Sequence, residues 1–266
     1  MTSSVPPDFP EDQRALFREV LQILKAEQVP FAVAGAFALQ RHTGIWRFTK
    51  DLDLFLTSEN VAPALQALSH HNYRCEICDP VWLAKAHRDE FFVDLITGMS
   101  NGVIVVEDSW IERSLPADVV GLDAPVLAAE ELIASKLFVT RRERFDGADI
   151  AHIIYATKGK LEWDRLRAIV GDHWEILFWA LVFFRYVYPA HSGYVPFEIW
   201  QDFLTRYMGL VSKPDHDAKF RGSLIDDNMF AIDVHEWKME DILQENRAKR
   251  MPKRKNAKAA AESKLG

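Results

Sequence analysis

Apolar residues return at helical spacing between Glu11 and Glu27, where Leu16, Val20, Leu21 and Leu24 line one face and predict a first helix. Phe31-Ala32-Val33-Ala34 is an unbroken apolar run that stops at Gly35, the mark of a buried strand, and Ala36 to Arg41 opens a helix at once. Leu52 to Leu56 is a second strand and Val61 to His70 a helix. Tyr73–Cys78, Phe91–Ile96 and Val103–Val106 read as further strands, with connections too short for crossover helices. They are expected to be antiparallel neighbours. Past Pro125 the pattern becomes helix upon helix: Ala128–Arg142, Ala148–Ala156, Trp163–Val170, Trp174–Tyr188 and Phe197–Met208, with Pro189 and Pro196 as punctuation. The expected fold is α+β, a mixed-sheet module over residues 1–125 followed by a helical domain over 126–245.

Composition adds an asymmetry of charge. The chain of 266 residues carries 32 basic and 39 acidic side chains, a formal charge of −7. From Asn246 to Gly266 there are eight Lys/Arg and one Glu, which leaves 24 basic and 38 acidic residues, or −14, for the body. A body so acidic is poorly suited to long nucleic-acid duplexes. The tail (Arg247, Lys249, Arg250, Lys253, Arg254, Lys255, Lys258, Lys264) reads first as a solvated, disordered end and second as an electrostatic arm for RNA. The N-terminus lacks the apolar core of a signal peptide, and two cysteines make no disulfide framework, so a cytoplasmic location is expected. The run Trp174–Tyr188 is too short to span a bilayer and contains Glu175 and Arg185. No membrane partner is expected.

The chemistry is concentrated in three acids. In Thr49-Lys50-Asp51-Leu52-Asp53-Leu54, alternation along a strand puts Asp51 and Asp53 on one face and Leu52 and Leu54 on the other. Two carboxylates on one face repel unless a cation neutralises them. Asp94 lies within Phe91-Phe92-Val93-Asp94-Leu95-Ile96, where a lone acid is costly unless paired or metal-bound. If its strand adjoins the first, three carboxylates converge in a manner suited to two-metal phosphoryl chemistry. The competing reading makes Asp51-x-Asp53 a surface pair and Asp94 a core acid bridged to Arg88 or Arg47. Upstream, Gly35 and Ala36 form a small-residue turn into a helix, whose N-terminal amides suit phosphate.

Together, Gly35-Ala36, Asp51-x-Asp53 and Asp94 resemble the nucleotidyltransferase superfamily of the DNA polymerase β type. The likeness is to its small prokaryotic branch of minimal nucleotidyltransferases and AbiEii-like toxin proteins. The motif-bearing stretch covers about residues 30 to 97, and Glu130 to Lys136 with Arg144 to Asp149 looks like a shared feature of uncharacterised members. The resemblance implies that Asp51, Asp53 and Asp94 are catalytic and hold Mg²⁺ (two ions, with Mn²⁺ as a substitute). Asp94 would also help to deprotonate the attacking hydroxyl, and Gly35 and Ala36 would face the phosphates of an NTP such as ATP. The superfamily usually has Gly-Gly or Gly-Ser at this turn, so Ala36 leaves the contact to backbone amides. The implied reaction moves an NMP from an NTP to a hydroxyl of RNA (such as a tRNA end), of a protein or of a small molecule. The alternative is an idle nucleotidyltransferase-like binding module or toxin–antitoxin partner.

Around the acids, Thr49 shares the face of Asp51 and is placed to orient it, while Lys50 points away. Arg47 is read either as exposed or as part of the site. Lys136, Thr140, Glu143 and Arg144 recur on one face of the expected helix, from which Lys136 and Arg144 would either meet triphosphate charge or belong to a solvated face; Arg141 and Arg142 are read as solvated. Asp146 is expected to be an N-cap, with Asp149 left open. Cys75-Glu76-Ile77-Cys78 has no second cysteine pair for a zinc site and sits in a strand, against a redox role. His152 and the cluster Trp174, Phe178, Trp179, Phe183, Phe184 and Tyr186 are assigned to helical core.

Overall fold

The structure, a computed structural model, describes residues 2–3, 9–47, 49–141 and 143–251. Helix α1 (Glu11–Ala26) is followed by the two-residue strand β1 (Ala32–Val33), helix α2 (Gly35–Thr43) and strand β2 (Asp51–Phe55). Then come α3 (Val61–His70), β3 (Arg74–Asp79), β4 (Leu83–Arg88), β5 (Phe91–Ile96), the short α4 (Asp108–Glu112), β6 (Leu115–Val119) and β7 (Leu122–Val126). The helices that follow are α5 (Ala129–Leu137), α6 (Gly147–Ala156), α7 (Trp163–Val170), α8 (Trp174–Val187), α9 (Phe197–Ser212), α10 (Ala231–His235) and α11 (Leu243–Arg250). No helix among the described residues is long and apolar enough to cross a membrane.

The seven strands form one mixed sheet in the order β3-β4-β5-β2-β1-β7-β6. β3, β4 and β5 make an antiparallel meander, so the expected strands β3 and β5 are not direct neighbours but flank β4. The excursion through α3 and the meander returns β5 parallel to β2, with Leu52 opposite Val93 and Asp53 opposite Asp94. Central strands show the alternation of a sheet packed on one face: Leu52, Leu54, Val93 and Leu95 are fully buried, and the acids between them are not. Helix α1 lays Leu16, Phe17, Val20, Leu21 and Leu24 into the core. One hydrophobic cluster runs from Phe9 in the sheet module to Phe203 on α9, so sheet and helices share a continuous interior.

Several expectations are corrected. The predicted strand at Val103–Val106 is only a bridge, Gly98 to Val105, because Met99 N–H and Val106 N–H close a tight ribbon on Ile104 and Thr97 around Asn101-Gly102. Strand β4 was missed: Leu-Ala-Lys-Ala-His-Arg has weak strand character and is held by a partner on each side. So was the hairpin β6–β7, whose two-residue turn uses Val120 (φ 50°) and Gly121 (φ 83°) instead of an Asn-Gly signal. The helix expected over Ala128–Arg142 stops at Leu137. Beyond it Phe138-Val139-Thr140 is β-type sequence, and Thr140–Arg141 pairs antiparallel with Arg144–Phe145. Thr140, Glu143 and Arg144 therefore lie on or beside this hairpin and not on a helix face; the side chain of Arg141 and all of Arg142 lie outside what is described. The aromatic cluster is only partly core: Phe184 is fully buried, whereas Tyr186 is 80% exposed and Trp179 46%. At the C-terminus, α11 covers Leu243–Arg250, where the sequence reading began the solvated tail at Asn246; residues 252–266 lie outside the described ones.

Candidate active site

The parallel register of β2 and β5 assembles the acidic site. Asp51, Asp53 and Asp94 each offer a carboxylate oxygen, and these three atoms lie within 4.8 Å of one another. Thr49 Oγ1 donates to Asp51 Oδ1 at 2.7 Å, and Gln13 Nε2 on α1 donates to Lys50 O at 3.0 Å, so the approach to β2 is fixed on two sides. Lys50 itself is exposed. Burial and the neighbouring Asp51 and Asp94 push the Asp53 carboxyl up to about 7, against a smaller opposing pull from Lys136 and Arg144. Burial also raises Asp94, opposed by Lys85. The pair for Asp94 is thus Lys85, at 2.8 Å on β4, and not Arg88 or Arg47. Arg88 pairs with Glu19, and Arg47 with Asp149. Among the described residues this is the one group of three or more acidic, His or Cys side chains close enough to share a cation.

Helix α2 starts directly beside the acids. Ala34 N–H donates to Asp53 O at 2.9 Å, and Gly35 follows with φ +54°. A Cβ on Gly35 would stand 1.8 Å from Asp53 Oδ2. Glycine is required here both for its conformation and for the closeness of helix and carboxylate. No side chain caps α2, which leaves its first amides open to the same cleft that Gly35 and Ala36 line.

The same cleft carries an ionic network whose lysine and two acids are buried. Lys136 Nζ meets Asp146 Oδ2 at 2.9 Å and Asp149 Oδ2 at 2.8 Å; Arg144 forks onto both oxygens of Asp146, each at 3.1 Å. Arg47 closes the network on Asp149 at 2.5 Å. Asp146 occupies the N-cap position of α6 but makes no side-chain cap bond, so its expected capping role is replaced by ion pairing. Lys136 is 7% exposed and both its acids are buried. Removing one partner of such a group strands charge in the interior. Lys136→Met is expected to lower stability by about 3 kcal/mol, measured by urea unfolding; an unchanged midpoint would show that the two arginines satisfy both acids alone.

Residues 13–174, more than half of the chain, match the family described as nucleotidyl transferase of unknown function (DUF2204). The chain belongs to this family. It is therefore a nucleotidyltransferase. Solved structures of similar fold include ANT(2'')-Ia in complex with adenylyl-2''-tobramycin, at 14% identity and TM-score 0.45, covering 61% of this chain and 99% of that one. The lincomycin-bound lincosamide antibiotic adenylyltransferase LnuA is 16% identical, with TM-score 0.38 over 55% of this chain and 98% of that one. An antigenic nucleotidyltransferase-like protein from Paracoccidioides brasiliensis is 14% identical, with TM-score 0.41 over 70% and 94%. Among curated proteins none matches closely enough to count as a relative.

The nucleotidyltransferase has a further wall that sequence reasoning missed. Ser223, Leu224, Ile225, Asp227, Asn228 and Arg247, all beyond the family match, line the same cleft as the acids. The segment is latched to the loop after β5 and to the end of β3: Asn101 Nδ2 donates to Leu224 O at 2.9 Å, and Arg247 donates to Ser100 O and to both oxygens of Asp79, at 3.1 and 2.9 Å. No local pattern signals this return, which depends on single contacts across more than a hundred residues. Elsewhere, Cys75 and Cys78 are free thiols, and His152 packs on α6 with its Nδ1 unpartnered among the described residues.

Proposed function

We propose that this nucleotidyltransferase transfers a nucleoside monophosphate from an NTP to a hydroxyl acceptor with the help of Mg²⁺ or Mn²⁺ held by Asp51, Asp53 and Asp94. The observation that carries the reading is the convergence of three carboxylate oxygens within 4.8 Å beside the uncapped start of α2. An acid forced up to about 7 by burial and by its two neighbours is a site in need of positive charge, and an oxygen-only donor set suits a hard divalent cation. When bound, such a cation neutralises phosphate charge and aligns the triphosphate with its attacker. The protein's own groups do the rest. Gly35 and Ala36 present backbone amides to phosphate oxygens, Thr49 orients Asp51, and Asp94 accepts the proton of the acceptor hydroxyl. Lys136 and Arg144 place positive charge behind the triphosphate, as their pull on Asp53 illustrates. The acceptor lies against Ser223–Ile225 and Asp227, which line the same cleft as the acids.

The test is incubation of pure protein with each α-labelled NTP, Mg²⁺ and, separately, cellular RNA, added protein and a panel of small hydroxyl compounds. Label entering one acceptor class identifies base and acceptor together. No label in any class moves the reading to a nucleotide-binding module without transfer.

Cation binding also carries a pH signature. The protonated Asp53 cannot ligate, so its carboxyl must lose a proton near pH 7 for metal to bind. Stabilisation by Mn²⁺ in thermal melts is expected to be small at pH 5.5 and large at pH 8, rising most steeply around pH 7. A Mn²⁺ effect of equal size at both pH values would remove Asp53 from the ligand set.

A further inference from the structure

The sequence singled out three acids, and the structure adds a cation locked to one of them. Lys85 stands directly opposite Asp94 in the antiparallel ladder of β4 and β5. Its Nζ is 2.8 Å from Asp94 Oδ1 and 4.0 Å from the centre of the Phe92 ring, which shares the face of Asp94 on the same strand. Asp94 Oδ1 is buried, and among the described residues Lys85 supplies the one ion pair it makes. Lys85 is itself only 22% exposed at the side chain and is pinned between ring and carboxylate. Ladder position, ring and burial all restrict where this cation can go.

We infer that Lys85 is a positioning residue of the transfer reaction: it holds Asp94 Oδ1 and leaves the other oxygen as the one that Asp94 presents to the site. The inference rests on the metal-dependent reading of the acidic trio. Two consequences follow from charge and geometry. A cation 2.8 Å from a ligand carboxylate opposes a second cation at the same group, so Lys85 weakens metal binding at the site. The same contact stops the carboxylate from turning or from chelating with both oxygens, so the remaining oxygen keeps one direction toward metal and acceptor. Lys85 thus trades metal affinity for alignment. A lysine that merely filled space in the sheet would do neither.

The test uses Lys85→Met, Lys85→Gln and Lys85→Arg in the full chain, with two readouts. The first is the Mn²⁺ concentration giving half of the maximal thermal shift in the absence of NTP. The second is kcat and the KM for NTP in the labelled-transfer assay. Lys85→Met is expected to lower the Mn²⁺ midpoint by about threefold or more and to lower kcat by about tenfold or more, with the KM for NTP little changed. Lys85→Gln keeps a donor without the charge, so it is expected to share the tighter Mn²⁺ midpoint while losing less kcat. Lys85→Arg is expected to restore part of the rate and to return the midpoint toward wild type. A Mn²⁺ midpoint that is unchanged or higher in Lys85→Met, or a wild-type kcat in that variant, overturns the role of Lys85 while leaving the metal-dependent reading in place. Wild-type protein with no Mn²⁺ shift at all overturns both. Folded variants are confirmed by their metal-free melting temperatures, and Lys85→Gln serves if Lys85→Met does not fold.

Discussion

Asp53→Asn protein is expected to be inactive and, without metal, more stable than wild type. The carboxyl of Asp53 is raised from an ordinary value to about 7 by burial and by Asp51 and Asp94. A group whose proton is held more tightly in the folded than in the unfolded state contributes stability below its unfolded value, and that contribution is lost as pH rises through about 7. At pH 8 the folded protein therefore carries a strained, ionised Asp53. A shift from 3.8 to about 7 corresponds to about 4 kcal/mol at most. Partial contact with solvent reduces this to about 2 kcal/mol. Asparagine removes the charge and keeps the shape. Transfer should fall about a thousandfold, or about 4 kcal/mol of barrier, since a ligand and a charge are lost together. Urea unfolding at pH 8, with and without Mn²⁺, and labelled transfer together make the measurement. Wild type should gain from Mn²⁺ what the variant already has. A variant that is less stable than wild type without metal would mean that Asp53 is a structural acid, and the site would have to be sought elsewhere. The trade of stability for chemistry is the usual condition of an active site.

Gly35→Ala is expected to be nearly as damaging for a different reason. The added Cβ would fall 1.8 Å from Asp53 Oδ2, at a backbone φ of +54° that alanine resists. Relief requires that the start of α2 move away or that the carboxylate turn, and either change separates the helix amides from the acids. A stability loss of about 2–3 kcal/mol is expected, with transfer reduced at least a hundredfold and the Mn²⁺ thermal shift largely lost. Gly44 is the control. It has φ +71° but no atom within 4 Å of where its Cβ would be, so Gly44→Ala should cost about 1 kcal/mol of backbone strain with transfer retained. If the two substitutions behave alike, the contact with Asp53 has no special role and only the left-handed conformation counts.

Much of this site was legible because its parts are local. Alternation alone placed Asp51 and Asp53 on one face with Leu52 and Leu54 beneath, and the small-residue turn at Gly35-Ala36 announced a strand passing into a helix. A solitary acid in an apolar strand marked Asp94 as a residue needing a partner, because an unpaired buried charge is costly wherever it occurs. Lys136 was recognisable as a cation, but the helix expected to carry it on to Arg142 ends at Leu137. Helical spacing in Ala128–Arg142 competes there with the strand character of Phe138-Val139-Thr140, and the ion pairs of Asp146 with Lys136 and Arg144 favour a hairpin that brings these groups together. Propensity could not weigh those contacts.

The sequence by itself determined the face on which each acid stands, the passage from strand to helix at the Gly35-Ala36 turn and the separation of a strand-bearing half from a helical one, since these follow from periods of two and 3.6 residues within short windows. Only the tertiary structure decided that β5 lies parallel beside β2 with Asp94 level with Asp53, that Lys85 and not Arg88 or Arg47 answers Asp94, and that the segment carrying Leu224 and Arg247 closes the cleft. Register between distant strands and the return of a distant helix depend on the packing of the whole interior, and no window along the chain contains that information.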